Sequence, residues 1–217
     1  MAEETSQIKK GKFIVFEGID GSGKTTLADY LRYHLSIERK RETFSTAEPT
    51  HNHIGRQIRE ILQGTVPLPP RKILANLFVA DRFYHSLLLR DILHMGINVI
   101  CDRYIWSNFA YNSSGPLEDQ LIEDLHFQDN WYIPPDYVFF LDLTPEMALL
   151  RLQQRLQVSV FDKLEVMERA YIRYREVLST RTMFGPFTQL IIVDANKSLE
   201  DLKAEMKLIV IDYCMNQ

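Results

Sequence analysis

Apolar residues in this chain follow two rhythms. Short continuous runs of β-branched and aromatic side chains read as strands: Phe13-Ile14-Val15-Phe16, Asn98-Val99-Ile100-Cys101, Tyr137-Val138-Phe139-Phe140-Leu141 and Leu190-Ile191-Ile192-Val193, with Thr43-Phe44-Ser45-Thr46 a weaker fifth. The runs do not alternate with polar residues, so both faces of each strand are expected to be covered. Between them lie longer stretches with apolar positions at helical spacing. They run from about Gly23 to Arg39, Arg71 to Met95 (with Leu74, Leu77, Phe78, Leu88 and Leu89), Pro145 to Gln157, Asp162 to Ser179, and Leu199 to Tyr213. Strands alternating with helices predict right-handed crossovers and a parallel five-stranded sheet in an α/β/α sandwich of three layers. Pro67-Leu68-Pro69-Pro70 marks a turn between helices. No repeat, low-complexity tract or Gly/Ser-rich linker divides the chain, so residues 1–217 are expected to form a single domain.

Composition narrows the partners. With 46% hydrophobic and 25% charged residues over 217 positions, the chain has enough apolar material for a sizeable core and is not a disordered polymer. Lys and Arg number 25 against 29 Asp and Glu, a formal charge of −4. That balance gives no global attraction to nucleic acid or an anionic membrane, so neither is expected as a partner and any phosphate recognition must be local. Cys101 and Cys214 form neither a disulfide framework nor a metal-ligand spacing, which points to a reducing, cytoplasmic compartment. The segment from Met1 to Lys12 is polar, without the apolar centre of a signal peptide, and no apolar run is long enough to span a bilayer. Of the six histidines, none has a cysteine or carboxylate partner at zinc-site spacing.

The first strand runs directly into Gly18-Ile19-Asp20-Gly21-Ser22-Gly23-Lys24-Thr25, a complete G-x-x-x-x-G-K-[ST] loop, followed by Thr26 at the start of a helical pattern. Gly21 and Gly23 let the backbone fold into a nest of N–H groups, and the helix beginning there adds its partial positive charge. Lys24 reaches the β- and γ-phosphates and the Thr25 hydroxyl ligates Mg²⁺. A nucleoside triphosphate is therefore expected on this loop, in the three-layer α/β/α P-loop NTPase fold. A GTPase would carry N-K-x-D, but Asn196-Lys197-Ser198-Leu199 lacks the carboxylate; a motor ATPase would have an apolar strand ending in Asp-Glu, but here the Tyr137–Leu141 run ends in Asp142-Leu143. Asp102-Arg103-Tyr104 ends the Val99-Ile100-Cys101 run, and the carboxyl end of a parallel strand is where this architecture holds ligands. A carboxylate beside a guanidinium there suits a site for both Mg²⁺, on Asp102, and an acceptor phosphate, on Arg103. A surface salt bridge is the plainer alternative.

Taken in order, four blocks make the sequence resemble the thymidylate (dTMP) kinases: Phe16-Glu17-Gly18 through Thr26, Glu48-Pro49-Thr50, Leu77-Phe78-Val79-Ala80-Asp81-Arg82, and Asp102-Arg103-Tyr104 with Ser107-Asn108-Phe109-Ala110-Tyr111. The likeness spans nearly the whole chain. Phe161-Asp162-Lys163-Leu164-Glu165 and Val193-Asp194-Ala195 are similar to that family's post-lid helix and adenine-side loop. The resemblance implies transfer of phosphate from Mg·ATP to dTMP, giving dTDP in dTTP synthesis, by a cytoplasmic homodimer. By similarity Asp20 faces the acceptor's 3′-hydroxyl, Phe78 stacks on thymine, and Arg82 donates to a base carbonyl from one turn further along the same helix face. Asp81 between them points to a structural pair. Asn108 reads the thymine edge, Tyr111 lies against the sugar, Glu48 borders the acceptor pocket, and Asp194 and Ala195 flank adenine. Core packing is the plain alternative for Phe78 and Tyr111.

The likeness is poorest in the lid, expected at about 151–162. The loop carries Ile19-Asp20-Gly21-Ser22 with no arginine, and Ser159-Val160 stands where relatives carry Asp-Arg. Positive charge at the transferring phosphoryl group then falls to Arg155, or to Arg151 on the same helix face. A solvated face accounts for both equally well. Ala47 replaces a basic residue common in relatives, leaving the acceptor phosphate to Arg103, with Arg56 as a possible helper. Two rivals stay open: a deoxynucleoside kinase using Glu17 as base, and a nucleotide-binding regulator that has lost transfer. The Leu87-Leu88-Leu89 stretch serves either a dimer face or a buried core.

Overall fold

A computed structural model describes residues 10–127, 131–153 and 163–209. Its centre is β1 (Phe13–Glu17), every residue of which is buried. It is flanked by β3 (Asn98–Asp102) and β4 (Tyr137–Asp142), with β2 (Thr43–Ala47) and β5 (Gln189–Asp194) outside them. The order is β2-β3-β1-β4-β5 and all four pairings are parallel, the predicted five-stranded sheet. β1 and β4 read as unbroken apolar runs because helices cover both of their faces.

At the amino edge, Asp136 accepts from the Phe13 N–H (2.8 Å) and the Lys12 ammonium (3.0 Å), and Asn98 accepts from the Lys12 N–H (2.9 Å), pinning the register. At the other edge Phe16 pairs with both Asp102 and Phe139. The carboxyl ends of all five strands therefore open on one side.

Helix α1 (Lys24–Tyr33) continues through a short π-helical turn, His34–Glu38, and packs with α8 (Leu199–Ile209). α2 (His53–Leu62) is capped by Asn52, whose side chain accepts from the Gly55 N–H at 2.8 Å, and packs on α3 (Arg71–His94). α4 (Ile105–Asn112) lies between α3 and α7 (Leu164–Ser179) and is buried along its entire length. α5 (Pro116–Phe127) packs on α3, and Asp119 joins it to Arg173 of α7 at 2.6 Å; α6 (Pro145–Leu152) starts on a proline.

The predicted strands are all present, as are the long helices within the described residues; the last helix, expected to Tyr213, is described only as far as Ile209. The expected helix to Gln157 is described only as far as Leu152, and the proposed lid lies mostly outside the described residues. The Leu87-Leu88-Leu89 stretch divides: Leu89 is 0% exposed, whereas Leu87 and Leu88 are 45% and 48% exposed.

Candidate active site

The P-loop occupies the turn from β1 into α1. Gly21 and Gly23 have φ of +83° and +95°, where a side chain is strained. A Cβ at Gly21 would also come 2.7 Å from the Ala148 carbonyl of α6, whereas above Gly23 nothing lies within 4 Å. Gly18, at φ +143°, starts the turn. No side chain caps α1 and its first turn holds no acidic residue, so its leading N–H groups remain available to an anion. Thr25 and Thr26 are exposed in that turn, while Ile19 and Ser22 are buried beneath the loop.

Lys24 folds over the loop, donating to the Ile19 carbonyl at 2.8 Å, with the Ser22 hydroxyl 3.4 Å away. Burial, then repulsion from Arg103, brings its ammonium down to about 8. The Thr25 hydroxyl donates to Asp102 Oδ2 at 2.5 Å. Asp102 Oδ1 is buried with no hydrogen-bond partner among the described residues. A hydroxyl and a carboxylate with a spare oxygen form a hard-oxygen pair that fits Mg²⁺, which takes only one or two protein ligands when phosphates supply the rest.

Arg103 sits opposite the loop at φ +70°. It donates to Asp20 Oδ1 (2.7 Å), the Gly18 carbonyl (3.1 Å), Ser107 Oγ (3.0 Å) and the Tyr174 hydroxyl (3.2 Å), and lies 5.4 Å from the centre of the Tyr111 ring. The Tyr111 hydroxyl accepts from the Asp20 N–H at 3.2 Å and donates to its carboxylate at 3.3 Å. Burial by itself would raise the Asp20 carboxyl, but Arg103 and Lys24 together hold it below the usual value. Asp20 of the P-loop thus converges with Arg103 and Tyr111, both from the block that follows β3.

Glu17, entirely buried, accepts from the N–H groups of Tyr104 (2.8 Å) and Ser107 (3.2 Å) and from the hydroxyls of Ser107 (2.7 Å) and Tyr174 (2.9 Å). Burial pushes its carboxyl up, against the pull of these donors and of Arg103.

A second buried group lies beside it. Glu48 binds Arg82 through Nε (2.7 Å) and Nη2 (2.5 Å), and pairs with His85 Nδ1 at 2.9 Å. The other side of Arg82 meets His126 Nε2 at 2.9 Å, and its guanidinium lies 5.1 Å from the Tyr104 ring centre. His126 Nδ1 lies 2.6 Å from the Ile122 carbonyl and must donate there, leaving Nε2 to accept from Arg82. Burial and that guanidinium bring His126 down to about 3, so it is neutral.

Phe78 joins Ile58, Ile61 and Leu74 in a small apolar cluster between α2 and α3. The Asn108 amide donates to the Ala75 carbonyl (3.2 Å) and accepts from Asn112 (2.9 Å). Asp81 accepts from the Thr50 N–H (2.7 Å) and hydroxyl (2.5 Å), the structural pair expected of it, and holds the Glu48-Pro49-Thr50 loop to α3.

Other expected residues are spread along the carboxyl edge. Asp194 ends β5 and accepts from Asn196; the Ala195 carbonyl accepts from Arg151 at 2.9 Å, tying α6 to this loop. Arg56 points to solvent on α2. Instead Arg59, one turn on, donates to the Pro49 carbonyl, a contact the sequence reading missed; only its helical spacing from the loop hinted at it. Arg155, Ser159, Val160, Phe161 and Asp162 lie outside the described residues.

A phosphate-cradling loop facing an arginine at the end of the adjacent parallel strand defines a P-loop kinase of the nucleoside monophosphate class. The family model described as thymidylate kinase matches residues 16–206. A probable thymidylate kinase from Methanocaldococcus jannaschii is 34% identical over 94% of this chain and 96% of its own length. A thymidylate kinase from Leptospira borgpetersenii is 38% identical over 82% and 86%, and one from Leptospira interrogans 34% over 91% and 92%. The chain belongs to the thymidylate kinase family, nucleoside monophosphate kinases that convert dTMP to dTDP.

Proposed function

We propose that the protein transfers the γ-phosphoryl group of ATP to dTMP, using the residues gathered at the carboxyl ends of β1 and β3. The observation that carries this reading is the reach of Arg103 to the P-loop, 2.7 Å from Asp20. A guanidinium so close to the triphosphate cradle draws a second anion against the first. The loop N–H groups and Lys24 hold the β- and γ-phosphates, and Asp194 and Ala195 flank adenine. Thr25 and Asp102 would hold Mg²⁺, which when bound would supply positive charge to the phosphate oxygens. Arg103 grips the acceptor phosphate and orients one of its oxygens for in-line attack. That oxygen is already ionised near neutral pH, so no strong general base is needed, and catalysis rests on positioning and charge. Phe78, Arg82 and Asn108 take the base, Tyr111 and Asp20 the sugar, and Glu48 borders the pocket. Arg155 is the lid cation of the same scheme.

Glu17 separates this reading from a deoxynucleoside kinase. A base must reach the hydroxyl it deprotonates. Both oxygens of Glu17 already accept hydrogen bonds in the interior, which favours an acceptor that needs no base. A coupled ADP-release assay over dTMP, dUMP, other monophosphates and thymidine tests the proposal. Turnover with dTMP and none with thymidine is expected; activity on thymidine alone would reject it. ATP binding without dTMP-dependent ADP release would favour the regulator.

Two further outcomes follow. With Lys24 near 8 in the free enzyme, its charge is lost as pH rises. The log of kcat/KM for ATP should therefore be level below about pH 7 and fall with a slope of about −1 above pH 8; a level profile to pH 10 would remove Lys24 from triphosphate binding. Arg82→Ala should raise the dTMP KM and blur base choice. It should also destabilise the fold by about 3–5 kcal/mol, because Glu48 would remain buried without its guanidinium, with only His85 beside it. An unchanged KM and base preference would exclude Arg82 from thymine recognition.

The exposed Phe83, Tyr84, Leu87 and Leu88 on α3 support a homodimer, to be tested by sedimentation. A cytoplasmic location is part of the same proposal; no described helix is long and apolar enough to cross a membrane.

A further inference from the structure

Arg103 is gripped on two edges. Its positive φ is a conformation that L side chains rarely adopt, so the direction of its side chain is set by its surroundings. Nη2 faces Asp20, on the side of the P-loop cradle. Nη1 faces inward, to the Gly18 carbonyl and the hydroxyls of Ser107 and Tyr174. Behind those hydroxyls sits Glu17, with Oε2 2.7 Å from Ser107 Oγ and 2.9 Å from the Tyr174 oxygen.

Counting protons orients the cluster. A guanidinium can only donate and a carboxylate can only accept. Both hydroxyls therefore turn a lone pair to Arg103 and their hydrogens away from it, toward Glu17 or, across the 2.7 Å between the two oxygens, from one hydroxyl to the other. Packing alone does not require this: Tyr174 lies against Phe140 and Tyr111, contacts that a phenylalanine ring would keep. Burying a carboxylate and two hydroxyls is costly unless each is paired. Here the pairings run to Arg103, to the N–H groups of Tyr104 and Ser107, and between the two hydroxyls themselves.

We infer that Tyr174 and Ser107, oriented by Glu17, are positioning residues for the acceptor phosphate: they hold the inner edge of the Arg103 guanidinium so that its outer edge meets the monophosphate. None of the three touches substrate. The inference rests on the reading of Arg103 as the phosphate grip.

Calorimetric Kd values for dTMP, thymidine and ATP test it, with the full-length protein as wild type, Tyr174→Phe and Ser107→Ala, and with each variant repeated in an Arg103→Ala background. Thymidine keeps base and sugar and lacks only the phosphate. Tyr174→Phe is expected to weaken dTMP about tenfold, the effect of loosening one charge-assisted contact, with thymidine and ATP within about twofold of wild type. In the Arg103→Ala background it should cost nothing further. Equal weakening of dTMP and thymidine, or a loss that persists without Arg103, would mean ordinary packing and overturn the inference. No change in dTMP affinity overturns it as well. If Tyr174→Phe does not fold, Ser107→Ala decides by the same criteria. A wild type that binds dTMP no tighter than thymidine overturns the phosphate role of Arg103 and the inference with it; a wild type with the normal preference isolates failure to the inference.

Discussion

Lys24→Ala should lower kcat by about 10³-fold, about 4 kcal/mol of transition-state stabilisation. On the proposed reading the charge lost is the one that holds the transferred phosphoryl group, and no other described cation is buried within the loop. The ammonium donates to the Ile19 carbonyl and helps to offset Asp20, but Asp20 keeps its ion pair with Arg103 when Lys24 is removed, so no carboxylate is left without a cation. The melting temperature should therefore change little or rise, because the ammonium is held in a site whose burial disfavours it. Steady-state rates set beside a thermal melt separate the two effects. A variant retaining more than a tenth of wild-type kcat would exclude Lys24 from transition-state stabilisation.

Arg103→Ala should raise the dTMP KM about 100-fold, from loss of a charge-assisted grip of about 3 kcal/mol. Arg103→Lys should recover little of it, because an ammonium cannot meet Asp20, a phosphate and the two inner hydroxyls in one planar fork. Stability changes too. In the wild type, Arg103 together with Lys24 and the Tyr111 hydroxyl outweighs burial and keeps the Asp20 carboxyl below its ordinary 3.8, so this contribution is full above pH 3.8 and is lost only as pH falls through the lower folded value. Without Arg103, burial dominates and the carboxyl rises. The loss of stability on acidification should then begin at higher pH than in the wild type. Acid titration of the two proteins followed by circular dichroism reads this directly; coincident curves would mean that Arg103 does not govern Asp20.

The parts of the site that sequence conveys are those fixed by local backbone chemistry. The glycines of Gly18 to Lys24 announce a turn and an anion cradle because few other backbones use that spacing. Asp102 and Arg103 stand out by ending an apolar run. What escaped were the helices and contacts set at a distance. α4 shows no amphipathic period because it is buried all round, between α3 and α7. His126 reads as an ordinary helix residue until α5 brings it onto Arg82. Tyr174 stands 71 residues from Arg103 and 157 from Glu17, so no local pattern links the three. The four-residue spacing of Phe78 and Arg82 does put both on the buried side of α3, yet it says nothing of Glu48 and His126, which enclose the guanidinium.

By itself, then, the sequence determined the alternation of strand and helix, the parallel sheet and the glycine loop between β1 and α1, since hydrophobic period and glycine chemistry act over a few residues. Only the tertiary structure decided which charges face which. The partners of Arg103, Arg82 and Lys24 come from different strands and helices, and their spacing is set by how the layers pack on the sheet rather than by distance along the chain.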